Sequence, residues 1–219
     1  MSDQNLTKLE IEKMRREYTM ASFDISDASA NPFDQFGKWF NEAVESQIIE
    51  PNSMLLGTQS DSDGPTGRMV LLKGFDYRGF VFYTNYQSKK ARQLTADPRC
   101  FLHFFWKELE RQVLICGTAE KVSDQESDAY FALRPKDSQI SAWASNQSST
   151  LESRQALENE FQRLAAEFTD KTVPRPPFWG GFRVSPHFFE FWQGRKSRLH
   201  DRICYDLKDG EWQKKRLSP

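Results

Sequence analysis

Three side chains that can carry positive charge recur at every second position near the end of this 219-residue chain. Arg198, His200 and Arg202 alternate with Leu199 and Asp201. Alternate side chains of a β-strand project from the same face, so a strand here places all three together. Like charges on one face repel each other unless anions lie among them. The pattern favours an anionic ligand, and the alternative is a sheet face balanced by carboxylates from elsewhere in the chain.

Two more cations bracket an apolar run. Arg68 and Lys73 flank Met69-Val-Leu-Leu72, and we predict that the whole segment is a strand. Because the two cations are five positions apart, a regular strand directs them to opposite faces. One would then reach a phosphate while the other faces a different ligand. The alternative is that both are charges at strand ends whose aliphatic stems cover apolar surface.

A hydroxyl-rich and basic segment follows the next predicted strand. Tyr83 and Thr84 end that strand, and Ser88, Lys89 and Lys90 stand at a predicted helix start. Hydroxyl groups, ammonium groups and a helix N-terminus together suit a phosphate. The alternative is a solvated basic turn.

A fourth candidate anion site lies on a predicted helix. Tyr130 and Arg134 are four residues apart and therefore share a helix face, and Ser138 follows shortly after Pro135. The three side chains suit a second, smaller phosphate. The alternative is a surface contact between a tyrosine and an arginine.

Composition excludes several classes of protein. The net charge of −1 argues against a nucleic-acid partner. Scattered histidines and three cysteines without a C-x-x-C pair predict no metal site. The polar N-terminus and the absence of a long apolar run predict no membrane partner and a cytoplasmic location.

Short strands are the elements that must position these groups. The segments 54–58, 68–73, 79–84, 100–106 and 111–122 are apolar runs bounded by turn residues. Five such strands before any long helix predict an antiparallel barrel. Strands return at 181–184, 188–192 and 198–207, and we expect them to join the same barrel. The fold class is therefore mainly β with flanking helices.

Besides the helix predicted to start near Ser88, three more are predicted around these strands. Asn31 and Pro32 suit the first turn of one helix, which is followed by apolar residues at helical spacing. The others cover 123–133 and 149–168, where Ser149 and Glu152 fit a capping box. Residues 1–30 lack a sustained apolar period and are predicted to be a mobile arm, whereas 31–219 form a single domain.

Several stretches match one known family in order from about residue 33 to the end. They include Arg68-Met-Val-Leu-Leu-Lys73, Glu110-Arg-Gln-Val113, Phe178-Trp-Gly-Gly-Phe-Arg-Val184, Glu190-Phe-Trp-Gln-Gly194 and Arg198-Leu-His-Asp-Arg202. With them the chain resembles the pyridoxamine/pyridoxine 5'-phosphate oxidase family. The resemblance implies an antiparallel FMN-binding split β-barrel and a homodimer with two FMN sites at its interface.

The resemblance also implies residue roles. It assigns FMN to Arg68, Met69, Val70, Leu71, Leu72, Lys73, Tyr83, Thr84, Ser88, Lys89, Lys90, Gln112, Gln147, Ser148, Trp192 and Arg202. It assigns the substrate to Arg15, Tyr18, Lys73, Tyr130, Arg134, Ser138, Arg198 and His200, with the first two on a segment that folds over the site. Many members carry arginine where this chain has Lys89, and lysine lacks the planar fork of a guanidinium, which predicts weaker FMN binding.

The implied activity is oxidation of pyridoxamine or pyridoxine 5'-phosphate to pyridoxal 5'-phosphate, with hydride transfer to FMN. Dioxygen then reoxidises the flavin and yields hydrogen peroxide. Arg198 and His200 are the expected catalytic residues, the first to polarise the substrate and the second to hold it or accept a proton. The alternatives are a flavin reductase on the same barrel and a non-catalytic binder of FMN or pyridoxal phosphate.

Overall fold

The computed structural model of the chain describes residues 12–14, 16–62 and 64–219. Its α-helices from Pro32 onward are α1 (Pro32–Glu45), α2 (Lys89–Ala96), α3 (Asp124–Ala132), α4 (Lys136–Ala144) and α5 (Arg154–Glu167). Its strands are β1 (Ser53–Ser60), β2 (Gly64–Leu71), β3 (Gly74–Asp76), β4 (Gly79–Asn85), β5 (Arg99–Trp106), β6 (Arg111–Lys121), β7 (Trp179–Gln193), β8 (Asp201–Lys208) and β9 (Glu211–Leu217).

All nine strands belong to one antiparallel sheet. The main path runs β2-β1-β5-β6-β7-β4-β3, and β8 pairs with β7 and β9. The long strand β7 pairs with β4 through its first half and with β8 through its second half. No ladder joins β2 to β3 among the described residues; the chain itself connects them. The sheet is therefore an open, split barrel, as the sequence predicts, and the late strands do join it.

Helix α1 packs across the open barrel with aromatic side chains. Asn31 accepts a hydrogen bond from the Phe33 amide and Pro32 occupies the first turn, as predicted. Phe36 is fully buried and its ring lies 4.9 Å from Phe80 and 5.0 Å from Phe104, between centroids. These edge-to-face contacts are the favoured geometry for aromatic rings. They fix the helix across the strands that carry the site.

One predicted helix is confirmed and the start of another is wrong. The helix predicted over 123–133 is α3, which ends at Ala132, before Pro135. That proline also stands at the N-cap of α4, a helix that the sequence did not predict, where a proline costs no hydrogen bond. Helix α5 begins at Arg154 rather than 149, because the Ser153 hydroxyl accepts from the Ala156 amide. The capping box at Ser149 and Glu152 is therefore not formed.

The predicted break between the 181–184 and 188–192 strands is also wrong. β7 runs unbroken through Pro186, which lies where the register with β6 shifts between Cys116 and Gly117. Proline is tolerated at such a bulge because no ladder donor is needed there. The uninterrupted strand brings Trp179 and Trp192 to opposite ends of one element.

Part of the N-terminal arm packs on the sheet. Phe23 is 5% exposed and lies in the main core, and the Tyr205 hydroxyl donates to the Ser29 carbonyl at 2.7 Å. Lys214 donates to the Ile25 and Ala28 carbonyls. Within the described ranges, no helix has the length and apolar character needed to span a membrane.

Candidate active site

A cavity of about 840 Å³ opens between the ends of β2 and β4 and the helices α3 and α4. We call it the cationic cavity. Its walls contain Arg68, Met69, Val70, Leu71, Lys73, Tyr83, Thr84, Asn85, Lys90, Tyr130, Leu133, Arg134, Pro135, Ser138, Ser141, Ala142, Ser145, Gln147 and Trp179. Residues of three of the four anion motifs of the sequence therefore meet at one place.

Four cations line this cavity, and no Asp or Glu is among the described residues of its walls. The Arg68 guanidinium donates to the hydroxyls of Thr58 and Thr66, the Gln93 side-chain oxygen and the Leu56 carbonyl. All four partners are neutral, and burial lowers the pKa of Arg68. A half-buried cation without a counter-charge favours an anionic ligand beside it.

Lys90 is in the same situation. Its Nζ donates to Thr84 Oγ1 at 3.2 Å, Ser88 Oγ at 3.4 Å and Gln147 Oε1 at 3.1 Å. Burial, with a smaller contribution from the neighbouring Arg68 charge, lowers the pKa of Lys90 to about 8. An anion that binds here would stabilise the charged form of the amine.

Arg134 carries an unsatisfied donor. Its guanidinium carbon lies 4.6 Å from the Trp179 ring centroid and 5.5 Å from that of Phe131. Its Nη1 is buried and has no hydrogen-bond partner among the described residues, and burial lowers its pKa. Since buried donors in proteins are nearly always paired, this nitrogen indicates a missing acceptor.

Three parallel aromatic rings support this end of the cavity. Tyr83 stacks on Tyr130 with centroids 4.0 Å apart and on Trp179 with centroids 5.5 Å apart. Burial raises the pKa of Tyr83 to about 12, so its hydroxyl stays protonated at neutral pH. Close packing behind the rings needs Gly181, because a Cβ there would lie 2.8 Å from the Tyr83 ring.

The expectation that Arg68 and Lys73 face opposite sides is wrong. β2 ends at Leu71, so strand alternation does not reach Lys73, and both cations line the same cavity. Leu72 is instead 5% exposed and packs in the core. Ser88 is buried as the N-cap of α2, where its hydroxyl accepts from the Ala91 amide.

Three residues of the implied FMN set lie elsewhere. Gln112, Trp192 and Arg202 line a separate cavity of about 370 Å³ on the face formed by β5 to β8. Arg202 is held there by Glu190, whose two carboxylate oxygens accept from it at 2.7 and 3.0 Å. The alternative reading of a cation balanced by a carboxylate is thus right for Arg202.

Arg198, His200 and Arg202 do not share a strand face as predicted. β8 begins at Asp201, and Arg198 ends a 3₁₀ turn in which it and Ser197 have φ values of 63° and 56°. Residues with a left-handed backbone conformation interrupt the alternation of side chains along a strand. Neither serine nor arginine favours that conformation, so the sequence does not indicate it.

The turn nevertheless gathers four predicted residues. The Trp192 and His200 ring centroids lie 4.5 Å apart, and Tyr18 packs edge-on against both rings at 5.6 and 5.5 Å. The Arg198 guanidinium carbon lies 5.5 Å from the Tyr18 ring centroid. We call Tyr18, Trp192, Arg198 and His200 the arm cluster. The arm cluster joins the N-terminal arm to the residues expected to be catalytic.

The tautomer of His200 follows from its contacts. Its Nδ1 accepts from the Arg195 amide at 3.1 Å, which leaves the proton of a neutral ring on Nε2. Burial lowers the pKa of His200, the Arg198 charge lowers it further, and Asp201 opposes both. At neutral pH His200 is therefore a neutral donor.

The remaining predicted residues lie apart from the cationic cavity. Lys89 is the first residue of α2 and Ser148 is exposed with a φ of 71°, and neither lines the cavity. Arg15 falls outside the described residues. Trp179 was missed as a site residue, although the glycine pair that follows it signals close packing.

Comparisons with known proteins point in one direction. A family model described as "Pyridoxamine 5'-phosphate oxidase" matches residues 40–167. A second, described as "Pyridoxine 5'-phosphate oxidase C-terminal dimerisation region", matches residues 179–219. Together the two models cover the cationic cavity and the arm cluster apart from Tyr18.

Full-length relatives agree with the models. The chain is 54% identical to a pyridoxine/pyridoxamine 5'-phosphate oxidase of Gloeothece citriformis over 95% of this chain and 98% of the relative. It is 53% identical to one of Rubrobacter xylanophilus over 94% and 95%. Among solved structures it is similar to PhzG of Burkholderia lata, with a TM-score of 0.85, 29% identity and coverage of 91% and 100%.

Proposed function

The chain belongs to the pyridoxamine 5'-phosphate oxidase family, and we propose that it oxidises pyridoxamine or pyridoxine 5'-phosphate to pyridoxal 5'-phosphate. We further propose that FMN is its cofactor, that dioxygen is the electron acceptor, and that the chain works as a homodimer. The 54% identity to a named oxidase over nearly the full length supports the reaction class rather than the alternatives of a flavin reductase or a non-catalytic binder.

One observation carries the proposal: a cavity lined by four cations and, among its described residues, no carboxylate. FMN and both substrates each carry a phosphate, which is close to doubly charged at neutral pH. Two phosphates in one cavity match four cations better than one phosphate does. The residues present therefore fit the cofactor and the substrate together.

The two phosphates would take different cations. The Lys90 amine, the Thr84 hydroxyl and Arg68 suit the phosphate of FMN, because they cluster at the end of β4 and the start of α2. Arg134, Tyr130 and Ser138 suit the substrate phosphate, and the free Nη1 of Arg134 supplies a charge-assisted donor. When bound, FMN supplies the redox chemistry by accepting a hydride.

The residues of the arm cluster would act on the substrate ring. In the proposal Arg198 contributes positive charge and His200 contributes an Nε2 donor, so that both orient the reacting carbon. The second cavity, with Gln112, Trp192 and Arg202, is separate from the cationic cavity within one chain. We propose that a second copy of the chain brings the two cavities together, which agrees with the match of residues 179–219 to a dimerisation region.

The test is peroxide formation by the purified protein loaded with FMN. Pyridoxine 5'-phosphate in air should yield hydrogen peroxide and pyridoxal 5'-phosphate in equal amounts, whereas pyridoxine without the phosphate should react far more slowly. Oxidation of a nicotinamide cofactor without peroxide formation from either vitamer would indicate a reductase. Tight FMN binding without any turnover would indicate a carrier, and either result would refute the proposal.

A further inference from the structure

Glu110 is a buried carboxylate at the turn between β5 and β6, and only 1% of it is exposed. Its Oε2 accepts from the backbone amides of Thr19 at 2.8 Å and Met20 at 3.0 Å, which lie 91 and 90 residues away in sequence. Arg16 approaches Oε1 at 3.5 Å. Among the described residues, the partners of this buried charge come from the N-terminal arm, and Oε1 accepts no hydrogen bond there.

The backbone of the same residue holds the other side of the arm cluster. The Glu110 carbonyl accepts from the Gly194 amide at 2.8 Å and from Gln193 Nε2 at 3.3 Å. Gly194 in turn packs under Tyr18, since a Cβ there would lie 2.8 Å from Tyr18 Cγ. One residue thus ties the arm to the chain that leads into the Arg198 turn.

The conformation of Glu110 also indicates a role beyond the turn. Its φ is 55°, in the left-handed region that favours glycine or asparagine. A glutamate at such a position is unfavourable for the turn itself, and burial of its charge is unfavourable unless hydrogen bonds compensate. The arm supplies two such bonds, both to Oε2, and the Arg16 charge lies 3.5 Å from Oε1, so the side chain and the arm stabilise each other's placement.

We propose that Glu110 is a positioning residue that fixes Tyr18 of the arm against Trp192 and His200. The amides that it holds belong to Thr19 and Met20, directly after Tyr18, so its loss frees the tyrosine without touching the cationic cavity. The role in substrate binding rests on the proposed function; the role in docking the arm does not.

Two variants separate docking from folding. Glu110→Gly removes the carboxylate and suits the left-handed turn, so the fold should be retained. Glu110→Gln keeps the shape but places an amide nitrogen or a neutral oxygen toward the arm. The matched control is Glu42→Gln, because Glu42 pairs with the adjacent Arg111 and accepts no hydrogen bond from the described part of the arm.

The measurement is amide hydrogen exchange of the full-length FMN-loaded protein, together with steady-state kinetics. In Glu110→Gly the Thr19 and Met20 amides should exchange at least about tenfold faster, and KM for pyridoxine 5'-phosphate should rise about tenfold, the loss expected for a charge-assisted hydrogen bond. FMN content and the unfolding midpoint should stay close to those of the parent protein. Glu42→Gln should change neither exchange nor KM.

A double variant of Glu110 and Tyr18 tests whether Glu110 acts through Tyr18. If Glu110 acts through Tyr18, Glu110→Gly should add nothing to the KM of Tyr18→Ala, because contacting residues are not additive. Unchanged exchange at Thr19 and Met20, or a full KM effect in the Tyr18→Ala background, would overturn the inference. If the parent protein oxidises neither vitamer, the proposed function fails, and the exchange data still decide whether Glu110 docks the arm.

Discussion

The cations of the cationic cavity and those around the arm cluster have different kinds of partner. In the cavity, Arg68 and Lys90 donate to hydroxyls, amide oxygens and a carbonyl, and a buried nitrogen of Arg134 has no acceptor in the described part of the chain. Around the arm cluster, cations are paired with carboxylates: Arg195 with Asp201, and Arg202 with Glu190. Both regions contain arginines, but the two arginines named beside the arm cluster have a carboxylate partner, whereas the cations of the cavity have neutral ones.

The difference separates structural cations from cations that await a ligand. A fold that needs an arginine for packing also supplies a carboxylate, because an unpaired buried charge is unfavourable. A cation left with neutral partners raises the local potential and attracts an anion. Arg198 differs from these paired arginines, because it is exposed and no Asp or Glu lies within ion-pair distance of it among the described residues. We propose, as the family resemblance implies, that Arg198 faces the substrate.

The largest expected effect comes from this arginine. Arg198→Met should lower turnover with pyridoxine 5'-phosphate about 100-fold, the usual loss when one positioned electrostatic group is removed. FMN content should be unchanged, as measured by the flavin absorbance of the purified protein.

Arg195→Met is the matched control within the same turn. Arg195 pairs with Asp201 and is 40% exposed, and such surface pairs contribute about 0–1 kcal/mol. Its turnover should fall by no more than about threefold. Equal losses in the two variants would mean that carboxylate pairing does not distinguish the two classes of cation.

The next effect contrasts two arginines beside Trp179. Arg134→Ala should raise KM roughly 10- to 100-fold, since hydrogen bonds to charged groups contribute about 1.5–3 kcal/mol. Arg175 donates to the Trp179 carbonyl but is paired with Asp124 and Asp128. Arg175→Ala should lower the unfolding temperature and leave KM nearly unchanged. If Arg134→Ala instead loses FMN with normal KM, the two phosphate positions are reversed.

Short sequence patterns predicted the start of α1, and the family resemblance predicted several residues of the cationic cavity. Asn31 and Pro32 mark the start of α1, and the resemblance brings Arg134, Tyr130 and Lys90 to one site, where the structure places them together. Each of these signals lies within a few residues of the group that it identifies, so chain neighbours carry the information.

The sequence failed where distant contacts or unusual backbone decide the outcome. Ser197 and Arg198 adopt positive φ, which only surrounding contacts can impose on such residues, and the predicted strand starts too early as a result. Glu110 was quoted in a family motif without a role, because its partners in the arm are about ninety residues away. Neither feature has a local pattern that could reveal it.

A smaller effect tests the uncompensated charge of Lys90 by pH. In the protein without ligand, burial lowers the pKa of Lys90 to about 8, so the amine loses its proton as pH rises through 8. A bound phosphate would keep the amine charged. FMN affinity should therefore fall above pH 8 by up to about tenfold per pH unit. Lys90→Met should bind FMN more weakly at pH 7, and its affinity should no longer depend on pH between 7 and 9.

Flavin fluorescence quenching at pH 7, 8 and 9 measures this effect. The phosphate of FMN titrates near pH 6, below the range in question, so its own charge change does not interfere. Lys89→Met is the control, since it keeps Lys90 and should keep the pH dependence. A dependence that persists in Lys90→Met would assign the titration to another group.

The smallest expected effect concerns His200, the residue of the arm cluster whose side chain is neutral. Its Nδ1 is occupied by the Arg195 amide, and burial together with the Arg198 charge lowers its pKa, so the ring is neutral with a proton on Nε2. Such a ring has no free lone pair with which to act as a base. It can donate a hydrogen bond to the substrate, which a glutamine amide can replace. His200→Gln should therefore lower turnover by about 10-fold or less, whereas loss of a general base costs roughly 100-fold or more.

Because the lowered pKa keeps the ring neutral below the usual titration range of histidine, acid inactivation should begin only when Nδ1 gains a proton and gives up the Arg195 amide. A 100-fold loss in His200→Gln, with full FMN content, would indicate that the ring transfers a proton. It would contradict the role of a neutral hydrogen-bond donor that is assigned here.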